Sequence, residues 1–252
     1  LMMAFYGFIL AVNKENNFYF LLIPFLFCLS FLSKQTPAVY GLISIIGLMA
    51  IYCMYKKKYF KKILIFSIFG TLFSFLFLFI FFYLTNINFS NFFDQYILFA
   101  SSIGDFRFSN YNFSFIDIII KFKLLNIFIV ILFISLIKMW ISKKKEKKVI
   151  LTILTVIFYS FTLIFHQYYT LNQNYIFFLI PFLCGIIHVF NEKIFDKKYI
   201  LIFSIALCIF SVTKYHLRFN EHRKFNELEK ADLSKAVNAG LLSNKLNGLK
   251  WI

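Results

Sequence analysis

The chain is predicted to be all-α: a polytopic transmembrane helix bundle with interfacial helices and a short α-helical extramembrane tail. Three observations predict this. Hydrophobic residues make up 61% of the 252, and the mean hydropathy is +0.77, far above that of a water-soluble domain. Apolar runs of membrane-helix character recur along the chain. Charge comes in short bursts between those runs rather than being spread through them.

Eight spanning segments are predicted: 1–12, 17–33, 38–55, 63–84, 124–142, 149–165, 175–190 and 199–213. At 1.5 Å per residue the 63–84 run reaches roughly 33 Å, enough for a hydrocarbon core of ~30 Å. Shorter runs need interfacial neighbours or a thinner local bilayer. The first run, LMMAFYGFILAV, has no basic leading region and no small-residue cleavage site. It reads as the end of a spanning helix, and a chain cut at both ends is expected. The division is therefore a transmembrane domain over 1–213 and an extramembrane tail over 214–252, the tail being the start of a truncated outer domain. In that tail Phe219, Phe225 and Leu228 stand among charges as on an amphipathic helix. Asp232 and Gly240 would bound a second short helix, and the closing LKWI is a candidate strand.

The loops decide orientation. KKKYFKK (56–62) and KKKEKK (143–148) are strongly basic, and NEKIFDKK (191–198) mildly so. Together with the Asn13–Asn16 turn they fall on one side, the cytoplasmic side by the positive-inside rule. The other side receives the 34–37 turn, the 85–123 segment, the 166–174 loop and the tail. The 85–123 segment carries three Asp against one Arg and two Lys. Its pieces NFFDQYILFASSIG and FIDIIIKFK mix aromatic and polar residues, as helices lying along a membrane surface do.

The net charge of +16 is no argument for nucleic acid, because most Lys sit in clusters flanking apolar spans, where the positive-inside rule and anionic lipid account for them. The 39 phenylalanines, with Ile, Lys and Asn, are residues of AT-rich codons, so part of the aromatic content reflects base composition. Cys28, Cys53, Cys184 and Cys208 all lie in apolar runs and read as small hydrophobes, not as a disulfide or metal framework.

Few residues could carry chemistry. In FLSKQTPAVY (31–40), Thr36 suits an N-cap and Pro37 the first helical position, so a helix should begin there with its free amides outward. Lys34 beside such a start favours a phosphate, with Gln35 and Thr36 next to it. The same residues equally make a capped turn with a snorkelling lysine. Arg107, the one Arg before the tail, offers a planar fork for phosphate or carboxylate, but Asp105 could pair with it. HQYYTLNQNY (166–175) sets His166, Gln167, Asn172, Gln173 and Asn174 close together. Uncharged amides and hydroxyls suit sugar hydroxyls or lipid headgroups, and equally suit a polar turn. Asp94, Asp105 and Asp117 are carboxylates of the same side, none paired at a telling spacing. Pro24 and Pro181 each interrupt a span, in the similar runs FLLIPFLFC and FFLIPFLC. No metal motif, glycine-rich phosphate loop or nucleophile elbow is present in the sequence.

FLSKQTPAVY, QNYIFFLIPFLCGIIH (173–188), KYHLRFNEHRKF (214–225) and LNGLKWI (246–252) together resemble polytopic GT-C glycosyltransferases of the protein-mannosyltransferase and aminoarabinose-transferase type, in their uncharacterised bacterial members. The resemblance implies an inner-membrane enzyme that moves a sugar from a polyprenyl-phosphate carrier to an acceptor on the outer face. It implies that the catalytic acid, with any divalent metal it holds, lies in an outer loop preceding Leu1. No cofactor is then expected in the present chain. Lys34 would match a carrier-phosphate contact and Arg107 a second. The expected partners are membrane lipid and the lipid-linked sugar. A transporter or flippase of lipid-linked saccharides is the alternative. It predicts ionisable residues near span centres, and the sequence has essentially none. A third reading is a structural membrane subunit.

Overall fold

The structure is a computed structural model describing residues 1–102, 114–141, 146–170, 176–194, 197–217, 233–241, 247–248 and 250–251. Most of the described residues in each of the eight apolar runs fall on a helix. In order these are α1 (Met2–Lys14), α2 (Phe18–Ser33), α3 (Gln35–Tyr55) and α4 (Phe60–Thr85). A short α5 (Phe89–Phe92) runs into a π-helical turn over Phe93–Leu98. Then come α6 (Phe115–Lys121), α7 (Lys123–Ile141), α8 (Lys147–Thr170), α9 (Leu179–Ile194) and α10 (Lys198–His216). Among the described residues, five helical stretches are long and apolar enough to cross a membrane: Gln35–Tyr55, Lys57–Thr85, Lys123–Ile141, Lys147–Thr170 and Lys198–His216. Met2–Lys14, Phe18–Ser33 and Leu179–Phe190 are shorter apolar helices.

The chain divides into two compact units, Leu1–Cys208 and Ile209–Ile252. In the first, α8 is the central helix, packing on α1, α3 and α7. It buries hydroxyls as well as hydrocarbon. Thr155, Ser160 and Thr162 return their hydroxyls to the carbonyls of Leu151, Val156 and Phe158 at 2.7, 2.8 and 2.9 Å. Such back-bonding satisfies a polar group where no water is available. Ser44 on α3 meets Thr162 across the helix pair at 2.9 Å between hydroxyl oxygens.

Helix α4 packs chiefly on α2, and a small-residue pair lets it approach closely. Gly70 and Ser74 are both buried, one turn apart. A Cβ placed on Gly70 would collide with the Leu21 carbonyl group of α2, whose Cα would be only 3.1 Å away. The opposite side of α4 is bare hydrocarbon. Phe75 is 65% exposed and Phe79 71%, a surface that suits lipid. Phe25 of α2 packs edge-on against Phe77 with centroids 5.2 Å apart.

One end of this unit is basic. There Phe8, Phe20 and Tyr52 bring α1, α2 and α3 together, with Phe20 and Tyr52 stacked at 5.9 Å. Beyond them Glu15, in the left-handed conformation that ends α1, accepts Lys56 at 2.7 Å and Lys148 at 3.1 Å. Lys148 also donates to the Asn13 carbonyl at 2.9 Å. The two lysines hold the Glu15 carboxyl below its ordinary range, and Glu15 in turn raises Lys56.

Two expectations are amended. Pro24 does not end its helix: α2 continues through it. Pro181 falls in the first turn of α9, where a missing N–H breaks no intrahelical bond. The second unit holds the end of α10, two 3-10 turns and a two-residue antiparallel ladder pairing Val237 with Trp251 and Asn238 with Lys250. The described stretch after Asp232 is thus 3-10 and strand rather than an α-helix, while LKWI does supply a strand. Asp232 itself and the amphipathic stretch around Phe219, Phe225 and Leu228 lie outside the described residues. All four cysteines are free.

Candidate functional site

The turn between α2 and α3 lies at the end of the first unit opposite Lys56, because α3 runs from one to the other. Lys34 is extended (φ −158°, ψ 113°) and is itself the N-cap of α3. The helix therefore starts two residues earlier than a Thr36 cap would place it. Pro37 is tolerated in the first turn because amides there have no intrahelical acceptor. The Lys34 N–H donates to the Ser30 carbonyl at 2.8 Å, which leaves Gln35 and Thr36 as the open amides of the helix start.

Because α3 and α8 pack side by side, the last turns of α8 come back to this point. A cavity of about 490 Å³ results. It is lined by Leu1 of the chain start, Ser30 and Ser33 of α2, Lys34 of the turn, and Tyr159, His166 and Gln167 of α8. Pro37, Leu163, Ile176 and Phe178 add apolar wall. His166 is 2% exposed and Gln167 4%. Both imidazole nitrogens and the Gln167 Oε1 are buried, and among the described residues none of the three has a hydrogen-bond partner.

A second set of contacts braces the turn from outside. The Tyr96 hydroxyl donates toward the Phe31 and Leu32 carbonyls at 2.5 and 2.7 Å, capping the end of α2. Gln35 returns a side-chain amide to the Tyr96 carbonyl. The Tyr96 ring stacks on Phe92 at 5.0 Å and meets Phe31 edge-on at 5.9 Å. Tyr96 occupies the π-helical turn, a feature frequent at functional sites. Burial raises its phenol above the ordinary value, so it remains a protonated donor. The neighbouring α6 is tied in as well: the Ser114 amide donates to the Tyr168 hydroxyl at 3.0 Å.

Of the residues singled out in the sequence, Lys34, His166 and Gln167 share one cavity. Gln35 serves the Tyr96 brace, and Thr36 is exposed in the first turn of α3. Asp94 is exposed, and Asp117 pairs with Lys121 at 3.8 Å; neither lines the cavity. Arg107, Asp105, Asn172, Gln173 and Asn174 lie outside the described residues. Sequence reasoning missed Ser30, Ser33, Tyr159 and Tyr96. A helical signal existed for three of them: Ser30 and Ser33 are one turn apart, and Tyr159 precedes His166 by two turns. Nothing local marks Tyr96.

Among the described residues no three His, Cys, Asp or Glu side chains gather to hold a metal ion. None of the described residues that line the cavity is a carboxylate. Comparison with protein-family models, with curated proteins and with solved structures finds no match.

Proposed function

We propose that the protein is a polytopic GT-C-type glycosyltransferase of the bacterial inner membrane, and that the Lys34 cavity binds the phosphate of a polyprenyl-phosphate-linked sugar at the outer face. The observation that carries this reading is the union, in one cavity, of a helix-start lysine with buried, unpartnered polar groups from a distant helix. A cation beside open helix amides attracts a phosphate. The polar segments 34–37, 89–102, 114–121 and 166–170 meet at this end, while Lys56 and Lys148 mark the other, as a positive-inside orientation requires.

In the reaction so assigned, an acceptor hydroxyl attacks the anomeric carbon as the bond from that carbon to the carrier phosphate oxygen breaks. The electron pair leaves on the phosphate. Lys34 stabilises that developing charge. The acceptor's proton goes to a carboxylate base, and none stands among the described residues that line the cavity.

The reading is tested with Lys34→Ala in the protein reconstituted in nanodiscs. Binding of polyprenyl phosphate is expected to weaken about tenfold or more, as removing a charge-assisted contact does, with transfer reduced in parallel. Unchanged binding and transfer would remove the assignment.

A further inference from the structure

The basic end of the first unit gathers lysines from three separate segments. Lys14 stands in the last turn of α1. Lys56, Lys57, Lys58, Lys61 and Lys62 lie between α3 and the start of α4, and Lys147 and Lys148 open α8. Contacts make one patch of them. Glu15 pairs with Lys56 at 2.7 Å and with Lys148 at 3.1 Å. The Lys56 and Lys58 ammonium groups lie 5.5 and 5.1 Å from the centre of the Tyr59 ring, and that of Lys147 lies 5.5 Å from the centre of Tyr55. Over 13–16, 56–62 and 146–148, eight lysines stand against two glutamates, Glu15 and Glu146. Lys14, Lys57, Lys61 and Lys62 are exposed and have no acidic partner among the described residues.

A positive-inside distribution needs lysines at this end but does not need them side by side. Brought together they repel one another, and Glu15 offsets only part of that charge. The patch therefore favours an anion, and its surroundings say of which kind. The lysines stand where bare hydrocarbon begins. Met54 on α3 is 68% exposed and Phe60 on α4 53%, and Gln35–Tyr55 and Lys57–Thr85 are both long and apolar enough to cross a membrane. Tyr55 and Tyr59 are residues typical of the membrane–water boundary. A phospholipid offers a phosphate to the ammonium groups and hydrocarbon to the helix surface beside them. A soluble polyanion meets the lysines alone, and a zwitterionic lipid brings a cation of its own. We propose that Lys58, Lys147 and the lysines around them hold the headgroup of an anionic phospholipid, its chains lying along the exposed faces of α3 and α4. Each lysine near such a headgroup contributes about fivefold in affinity. The patch lies at the end opposite Lys34, so the proposal stands apart from any role of that cavity.

The test titrates the protein in nonionic detergent with phosphatidylglycerol or with phosphatidylcholine of the same chains, and reads bound lipid by native mass spectrometry. Glycerol phosphate, a headgroup without chains, is the competitor. Phosphatidylglycerol is expected to bind about tenfold or more tighter than phosphatidylcholine, and salt is expected to shrink the difference by screening. Lys58→Gln combined with Lys147→Gln should remove most of the preference, while Lys123→Gln at the other end should leave it intact. Equal wild-type affinity for the two lipids overturns the proposal. So does a preference that the double variant keeps, or one that Lys123→Gln loses to the same degree. Displacement of phosphatidylglycerol by glycerol phosphate at matching concentration overturns it as well, since the patch would then be a site for a soluble anion. Should the double variant not fold, judged by its thermal midpoint, Lys57→Gln combined with Lys61→Gln takes its place under the same criteria.

Discussion

The Tyr96 hydroxyl lies 2.7 Å from the Leu32 carbonyl oxygen, so a residue from the segment after α4 closes the end of α2 beside Lys34. Gln35 answers with a bond to the Tyr96 carbonyl, and the two elements are tied in both directions. Removing the hydroxyl with Tyr96→Phe leaves the ring stacked on Phe92 but uncaps the Phe31 and Leu32 carbonyls. A loss of about 1 kcal/mol is expected, the usual worth of such a bond. Amide hydrogen exchange over 89–102 should rise while exchange in α8 stays as it was. Equal exchange in both proteins would show that the stacked ring alone holds the segment.

Gly70 sets the distance between α2 and α4. Gly70→Ala drives a methyl group into the Leu21 carbonyl, which is backbone and cannot swing aside. The cost should be about 1–3 kcal/mol, read as a lowered thermal midpoint in detergent. Thr71→Val, on the exposed side of the same helix, should cost far less. Comparable losses at the two positions would contradict the close crossing.

Ser44 and Thr162 test how α3 is held to α8. Thr162 gives its one hydroxyl hydrogen to the Phe158 carbonyl, so Ser44 is the donor across the 2.9 Å gap. A double-mutant cycle with Ser44→Ala and Thr162→Val should give a coupling of about 0.6 kcal/mol, the average for such bonds between membrane helices. Thr162 retains its own bond to the Phe158 carbonyl in either background, so its single substitution costs more than the coupling alone.

At the basic end, Glu15 makes stability depend on pH. Its carboxyl is held below the ordinary glutamate value of 4.5, first by the bond from Lys56 and then by that from Lys148. A depressed carboxyl pKa contributes stability that is full above the ordinary value and is lost as pH falls through the depressed one. Lys56 is raised by the same contact above 10.5, so its share is full below that value and fades only as pH climbs past it. The wild type should therefore exceed Glu15→Gln in thermal midpoint at neutral pH, and the gap should close on acidification below about 4.5. A gap independent of pH would mean that the contacts contribute nothing through charge.

The helices were legible in the sequence because hydropathy is a local property. The run from Ile63 to Leu84 can do little but form a membrane-length helix, and Lys56–Lys62 must stay out of hydrocarbon. Gly70 and Ser74, four apart, are a small-residue pair that the sequence reading did not single out. The candidate site was half legible. Lys34 stood out because a cation beside a helix start is a local pattern, and His166 and Gln167 because polar residues are rare at the end of an apolar span. Their meeting was not legible. It depends on α3 and α8 packing together although 132 positions separate Lys34 from His166. Tyr96 was invisible for the same reason. Its partners Phe31, Leu32 and Gln35 lie some sixty residues away, and one tyrosine among many carries no mark of its role.

Sequence alone thus determined which stretches are apolar helices and which ends carry positive charge, since both follow from the transfer energies of neighbouring side chains. Which polar residues share a cavity, and which of them remain without a partner there, was decided by helix packing. That packing rests on contacts such as Gly70 against Leu21 and Ser44 against Thr162. Each depends on two surfaces fitting together, and neither surface alone specifies the other.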